Sequence, residues 1–380
     1  MSKRGHGEGT LSKKQNGKWL AQMSLGNQRL TKTLDTRKEA LDWIRTISNQ
    51  KNVGLSFEGT KTTVGELFES WLKIKESKSR LATIEQYRRI ARLYILPYFG
   101  AEKLHEITAG KIQAFYFFLE SNNTGLRTIE LCHIVFHGFL KYAQKLGLIY
   151  QNWAELVECP RPKKAEMNIW DESQVSQFLA SVGNDPFYKL AFFTGMRRGE
   201  LIGLQWKDLD WSNNMIRISR QVYKPLGGGF IFQEPKTERG KRAIRLGTGL
   251  IESIRYHYKY TIPKMIAIVG PDRWKEFDLM FPSSVGTPKN GYQVSKEFKR
   301  MVQGVGLPEI RFHDIRHTAA SIMLMHGIPP MQVAAILGQS VQVLFDTYAH
   351  YIPDDQESVS QLMDEITTTT TIKIDMGSIA

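Results

Sequence analysis

Two polar breaks cut the 380-residue chain into stretches of different hydrophobic period, and that change of period limits the folds open to it. The first break, residues 51–61, passes through Gly54 and Gly59 with few apolar residues. The second is Cys159-Pro160-Arg161-Pro162-Lys163-Lys164, stiffened by its prolines and kept in water by its charges. Before the first break the pattern is that of strands; between the breaks it is helical; after the second it is helical with short strands interposed. One continuous core does not suit such a chain. The expected fold class is multidomain and mainly α with small antiparallel sheets (α+β), and 380 residues suffice for two or three cores.

In residues 1–55, Thr10 to Lys13, Lys18 to Leu25 and Gln28 to Thr33 read as strands, with turns at Gly17 and at Gly26-Asn27. Thr36 and Glu39 have capping-box spacing, and Ala40, Leu41, Ile44 and Ile47 give the following helix one apolar face. The first fifty residues hold ten Lys and Arg against four Asp and Glu. A basic three-stranded sheet under a helix suits a DNA groove; a solvated basic sheet is the plain alternative. Residues 62–158 predict a helical unit with four apolar stripes. The second stripe, Ile84 to Ile95, is ended by Pro97 and Gly100, and the fourth, Ile129 to Ala143, by Gly147. Lys73, Arg88 and Arg92 fall on the outer faces, as contacts to a phosphate backbone require.

Residues 165–366 form the third expected domain. Asp171 caps a helix and Gln174 answers it. Gly195 ends an apolar helix in a left-handed cap, so Arg197 stands at the start of the next one. Met215 to Ser219, Phe230 to Gln233 and Arg242 to Leu246 read as one small antiparallel sheet, and residues 248–366 as mostly helical. Residues 367–380 are a tail; its Thr367 to Thr371 run reads as mobile or as an exchanged strand.

A net charge of +13 makes a polyanion the natural partner. No apolar run is long enough to span a bilayer, and Met1 to Gly9 lack the apolar core of a signal peptide. Cys132 and Cys159 have no metal-ligand spacing, which suits a reducing cytoplasm.

The chemistry is carried by clusters in order along the third domain. They are Thr194 to Leu201 with Arg197, Pro235-Lys236-Thr237, His313-Asp314-Ile315-Arg316-His317, Leu337-Gly338-Gln339 and Thr347-Tyr348-Ala349-His350. Two arginines, a lysine, a histidine, an amide and a tyrosine suit a phosphodiester. Arg197 and Arg316 neutralise non-bridging oxygens, Tyr348 attacks, Lys236 protonates the departing 5′-oxygen and His313 shuttles protons. His313 and His317 are spaced as a zinc pair, but no third ligand is near and Arg316 shares their face, so neither metal nor cofactor is expected.

These motifs, in this order over residues 170–360, resemble those of the tyrosine recombinases, the lambda-type phage integrases. The resemblance implies Arg197 and Arg316 as the phosphate clamp, Lys236 as general acid, His313 as acid/base and Tyr348 as nucleophile. Gln339 stands where members usually carry histidine; it can still donate an N–H to phosphate but cannot carry charge. Glu200 and His317 read as supports, and Tyr351 as packing. By the same resemblance residues 1–55 are an arm-site DNA-binding domain, 62–158 a core-site DNA-binding domain and 165–366 the catalytic domain, the last two closing on duplex DNA. The function implied is integration and excision of a mobile element through a 3′-phosphotyrosine. The partners implied are double-stranded DNA at core and arm sites and a homotetramer, with room for an excisionase or a host DNA-bending protein. Two rivals are a regulatory DNA-binding protein without catalysis and a sister enzyme, a topoisomerase or resolvase.

Overall fold

The structure, a computed structural model, describes residues 9–25, 28–52, 61–163, 167–235, 237–353 and 356–368. The chain divides into two compact units, Met1–Ala165 and Glu166–Ala380.

In the first unit, β1 (Thr10–Lys13), β2 (Trp19–Leu25) and β3 (Gln28–Leu34) form an antiparallel sheet in chain order. Alternation along β2 turns Ala21 and Met23 inward, onto Ala40, Ile44 and Ile47 of α1 (Arg37–Asn52). The Thr36–Glu39 capping box is present in both directions, each bond 3.2 Å. The helix runs to Asn52, into the expected linker; the rest of that break up to residue 60, and the turn at Gly26-Asn27, lie outside the described residues.

The α-helices that follow α1 in this unit are α2 (Val64–Glu76), α3 (Leu81–Ile90), α4 (Leu96–Phe99), α5 (Ala109–Ser121) and α6 (Leu126–Lys145). They enclose their own cluster, in which Phe99 stacks on Phe136 at 4.8 Å and Phe68 meets Trp71 edge-on at 5.0 Å. Pro97 does not end the second stripe, as its sequence suggests. Residues Ala91–Ile95 widen into a π turn, where the Leu96 N–H reaches back to the Ala91 carbonyl. Pro97 then falls in the first turn of α4, where a missing N–H costs little, and the helix continues to Gly100.

The second unit begins with α7 (Glu172–Ser181), α8 (Pro186–Thr194) and α9 (Arg198–Ile202). The strands are β4 (Leu209–Asp210), β5 (Met215–Ile218), β6 (Gln221–Tyr223), β7 (Ile231–Gln233) and β8 (Arg242–Arg245). They form two sheets, not the single one expected: β4-β5-β8, and a separate β6–β7 ribbon. The difference is physical. Ile216 and Ile244 pair face to face and are buried, whereas every residue of β6 and β7 is only half-buried. Then follow α10 (Thr248–Tyr256), α11 (Ile262–Val269), α12 (Gly291–Val305), α13 (Asp314–Met325), α14 (Pro330–Leu337), α15 (Val341–Tyr348) and α16 (Gln356–Thr368). Thr367 and Thr368 belong to α16 rather than to a tail or strand; residues 369–380 lie outside the described residues.

The main core gathers around Trp170, whose indole N–H donates to the Pro308 carbonyl at 2.9 Å and whose backbone N–H donates to Thr318 Oγ1 at 3.2 Å. A smaller cluster joins α13, α14 and α15 around Ala320, Leu324, Val333, Leu337, Leu344 and Tyr348. It fixes the ends of those three helices relative to one another, and the candidate site lies at those ends.

Candidate active site

The site is assembled at helix ends. Gly195 closes α8 with φ of +58°, a conformation in which side chains other than glycine are strained. A Cβ there would stand 2.5 Å from Leu337 Cδ2, so the glycine also lets α8 lie against α14. The turn aims the Gly195 carbonyl at Arg316 and sets Arg197 at the N-cap of α9.

Arg316 is held on α13, 4 % exposed. Its Nη1 donates to the Gly195 carbonyl at 3.0 Å and to the Leu337 carbonyl at 2.7 Å, and its Nη2 donates to Gln339 Oε1 at 2.8 Å. A guanidinium has five N–H donors, so about two stay uncommitted among the described residues. Burial first, then the nearby charges of Arg197 and Arg242, pull its pKa down to about 10, and it stays charged at neutral pH.

Because Arg316 needs an acceptor, Gln339 must turn its oxygen to it, and the amide nitrogen is left facing elsewhere. That nitrogen is buried without a partner among the described residues. An orphaned N–H costs about 1–3 kcal/mol, which a bound oxygen would recover. Gln339 follows Gly338, whose φ of +66° ends α14.

Arg197, 41 % exposed at its side chain, donates through Nη1 to Glu200 Oε1 at 2.8 Å and through its backbone N–H to Glu200 Oε2 at 3.1 Å. Glu200 also accepts from Arg242 Nη2 at 2.9 Å. Burial alone pushes the Glu200 carboxyl up, but the Arg242 and Arg197 guanidiniums outweigh it and hold the group below its ordinary range. Arg242 donates further to the Ile336 carbonyl at 2.5 Å and the Gly240 carbonyl at 3.0 Å. It thereby ties β8 to α9 and to the end of α14. Three guanidiniums around one carboxylate leave a net positive site suited to an anion.

His313 stands at the start of α13, steered by Asp314. That buried carboxylate accepts the Arg311 backbone N–H at 2.7 Å and pairs with its guanidinium. His313 as a whole residue is exposed, yet desolvation of its ring by the packed surroundings, with His317, Arg316 and Arg197 adding positive charge, lowers its pKa to about 4. The imidazole is neutral at neutral pH. Tyr348, the last residue of α15, is 2 % exposed, and its hydroxyl meets His317 Nδ1 at 2.6 Å. Burial pushes its phenol up while Arg316 pulls it down; the net shift is upward. Tyr351 packs, half-buried, beside this cluster.

Arg197, His313, Arg316, Gln339 and Tyr348 therefore meet in one place, from four separate segments of the chain. Lys236 lies outside the described residues. Sequence reasoning missed Arg242. Its signal was available: Arg242, Ile244 and Leu246 alternate onto one face of β8 and beyond, and Ile244 and Leu246 are buried, so the arginine at the head of that face also points inward.

The phage integrase family model matches residues 168–353, and the N-terminal SAM-like domain model of phage integrases matches residues 63–119. A tyrosine recombinase XerC-like protein of Caldanaerobacter subterraneus subsp. tengcongensis is 24% identical, over 94% of this chain and 95% of its own length. The ICEBs1 integrase of Bacillus subtilis is 22% identical, over 94% of this chain and 100% of its own. Among solved structures, the Tn1549 transposon integrase in complex with a circular intermediate DNA superposes with a TM-score of 0.66 at 18% identity, over 80% of this chain and 99% of its own. A lambda integrase dimer bound to a core site gives a TM-score of 0.56 at 17% identity, over 91% and 95%. With the two integrase models following one another along the sequence, and relatives aligned over nearly its whole length, the chain belongs to the phage integrase family of tyrosine recombinases.

Proposed function

We propose that this recombinase integrates and excises a mobile DNA element by cutting one strand at each site, holding it as a 3′-phosphotyrosine and passing it to a 5′-hydroxyl of the partner duplex. The observation that carries the reading is the convergence of the Tyr348 hydroxyl, the uncommitted Arg316 donors and the orphaned Gln339 N–H within one chain. In this reading Arg197 and Arg316 hold the non-bridging oxygens and Gln339 adds a neutral donor. Tyr348 is the nucleophile, Lys236 protonates the leaving 5′-oxygen, and His313 serves as acid/base. The energy of the broken bond stays in the phosphotyrosine ester, so the cycle needs neither nucleotide nor metal.

Residues 62–158 would hold the core site, residues 1–55 a separate arm site, and residues 165–366 would carry catalysis, giving a bivalent grip on DNA. A solved neighbour is a lambda integrase tetramer bound to a Holliday junction, with a TM-score of 0.55, and a homotetramer on two duplexes is the assembly proposed here. An excisionase or a host DNA-bending protein would set direction, in the cytoplasm of a bacterial host. Among the described residues no helix is long and apolar enough to cross a membrane.

Two labelled duplexes bearing the element's sites test the reading. Recombinant strands joining the two labels are expected. Relaxation of supercoils without joint strands would instead mark a topoisomerase, and binding without cleavage a regulatory protein.

A further inference from the structure

A phenol with a pKa near ~10 is a weak nucleophile until its proton has somewhere to go. The recombinase reading gives acid/base work to His313. The atom that touches the phenol, however, is Nδ1 of His317, at 2.6 Å. The His313 ring stands edge-on to His317 with centroids 5.3 Å apart, and the His317 and Tyr348 rings are 5.6 Å apart. Among the described residues the Tyr348 hydroxyl has no other hydrogen-bond partner. If Nδ1 carried a proton and donated it, the phenol's own proton would be left without an acceptor in a buried place, at a cost of about 1–3 kcal/mol. The favourable arrangement has the proton of His317 on Nε2 and the phenol O–H donating to Nδ1.

We propose that His317 is the general base that takes the Tyr348 proton during strand cleavage, a step that rests on the recombinase reading. The phenol proton passes to Nδ1 as the tyrosine oxygen bonds to phosphorus. The P–O5′ bond breaks and the 5′-oxygen takes a proton from the general acid, Lys236. In religation the 5′-hydroxyl attacks and gives its proton back to Lys236, the P–O(Tyr) bond breaks, and His317 returns its proton to the phenol oxygen. The surroundings suit a base that is neutral at rest. Burial first, and then Arg311, Arg316 and His313, oppose a charge on His317, and Asp314, one turn earlier on its own helix, favours it. Tyr348 faces it from α15, with Tyr351 beside that phenol.

The test pairs His317→Ala and His317→Gln with two nucleophiles, tyrosine and 3,5-difluorotyrosine, at position 348. The fluorines acidify the phenol and lessen its need for a base. Single-turnover cleavage of a nicked duplex is measured on protein shown to bind that duplex. Both substitutions are expected to slow the tyrosine enzyme by about 10²–10⁴-fold, the usual weight of one general base. Difluorotyrosine should recover most of that loss in both, and should recover none of the loss in His313→Ala. Glutamine can accept the phenol hydrogen bond but cannot take its proton, so parent-like cleavage by His317→Gln would reduce His317 to a positioning residue and overturn the proposal. Absence of rescue by the acidified phenol would overturn it as well. Should the parent form no covalent complex at Tyr348, the recombinase reading itself fails, an outcome separate from a fast His317→Ala.

Discussion

At the scale of residues, this site works by committing some donors so that others are aimed. Arg316 gives three N–H groups to the Gly195 carbonyl, the Leu337 carbonyl and Gln339, and those bonds fix the plane in which its remaining donors lie. Gln339 acts at both ends of its amide, for its oxygen props Arg316 while its nitrogen is unpartnered. The two roles separate experimentally. Gln339→Glu keeps an acceptor for Arg316 but replaces the N–H by an anionic oxygen, whereas Gln339→Ala removes both. If the amide faces phosphate, alanine costs about 1–3 kcal/mol of transition-state stabilisation, a charged-group hydrogen bond's worth, and glutamate costs more despite its closer shape. Gln339→His restores a donor and should cleave near the parent rate. Single-turnover rates on one nicked substrate rank the four proteins; parent-like cleavage by Gln339→Glu would move the amide away from the phosphate.

At the scale of elements, the site depends on two helix ends meeting a third helix. Gly195 illustrates the requirement. Alanine there meets both a strained positive φ, about 1–2 kcal/mol, and a 2.5 Å approach to Leu337 Cδ2, about 1–3 kcal/mol of overpacking. Gly183 has a similar φ of +63° with nothing within 4 Å of its would-be Cβ, so it isolates the backbone part. Gly195→Ala should therefore lower stability in urea clearly more than Gly183→Ala; equal losses would mean that α8 and α14 do not need this contact. Much of this element layer was legible in the sequence. The capping pairs Thr36–Glu39 and Asp171–Gln174 and the left-handed Gly195 are local features, and local chemistry decides them. What was not legible depends on distant partners. Pro97 looks like a stop until the π turn before it is seen, and the β6–β7 ribbon looks like part of the larger sheet until burial separates them. At Arg242 the alternation along β8 signals an inward side chain but not what it meets, because Gly240 is local whereas Glu200 and Ile336 come from distant segments of the chain. The bond between His317 and Tyr348 spans thirty-one positions, and no spacing rule reports it.

At the scale of the whole molecule, a net charge of +13, carried by a chain whose described residues form two hydrophobic clusters of helices and two of sheet and helix, suits a protein that holds DNA in more than one place. Removing residues 1–55 should spare cleavage at a core site and abolish binding to a distant arm site, with the lost binding steeply dependent on salt; arm-site binding unchanged by the deletion would contradict that division of labour. The central claim concerns one covalent bond. The nicked duplex is incubated with the protein, digested with protease, and the DNA-linked peptide is sequenced by mass spectrometry. The account predicts a nucleotide attached through a 3′-phosphate to Tyr348, and no adduct when Tyr348→Phe is used in its place. An adduct on Tyr351 or any other residue, or an undiminished adduct with Tyr348→Phe, would contradict it.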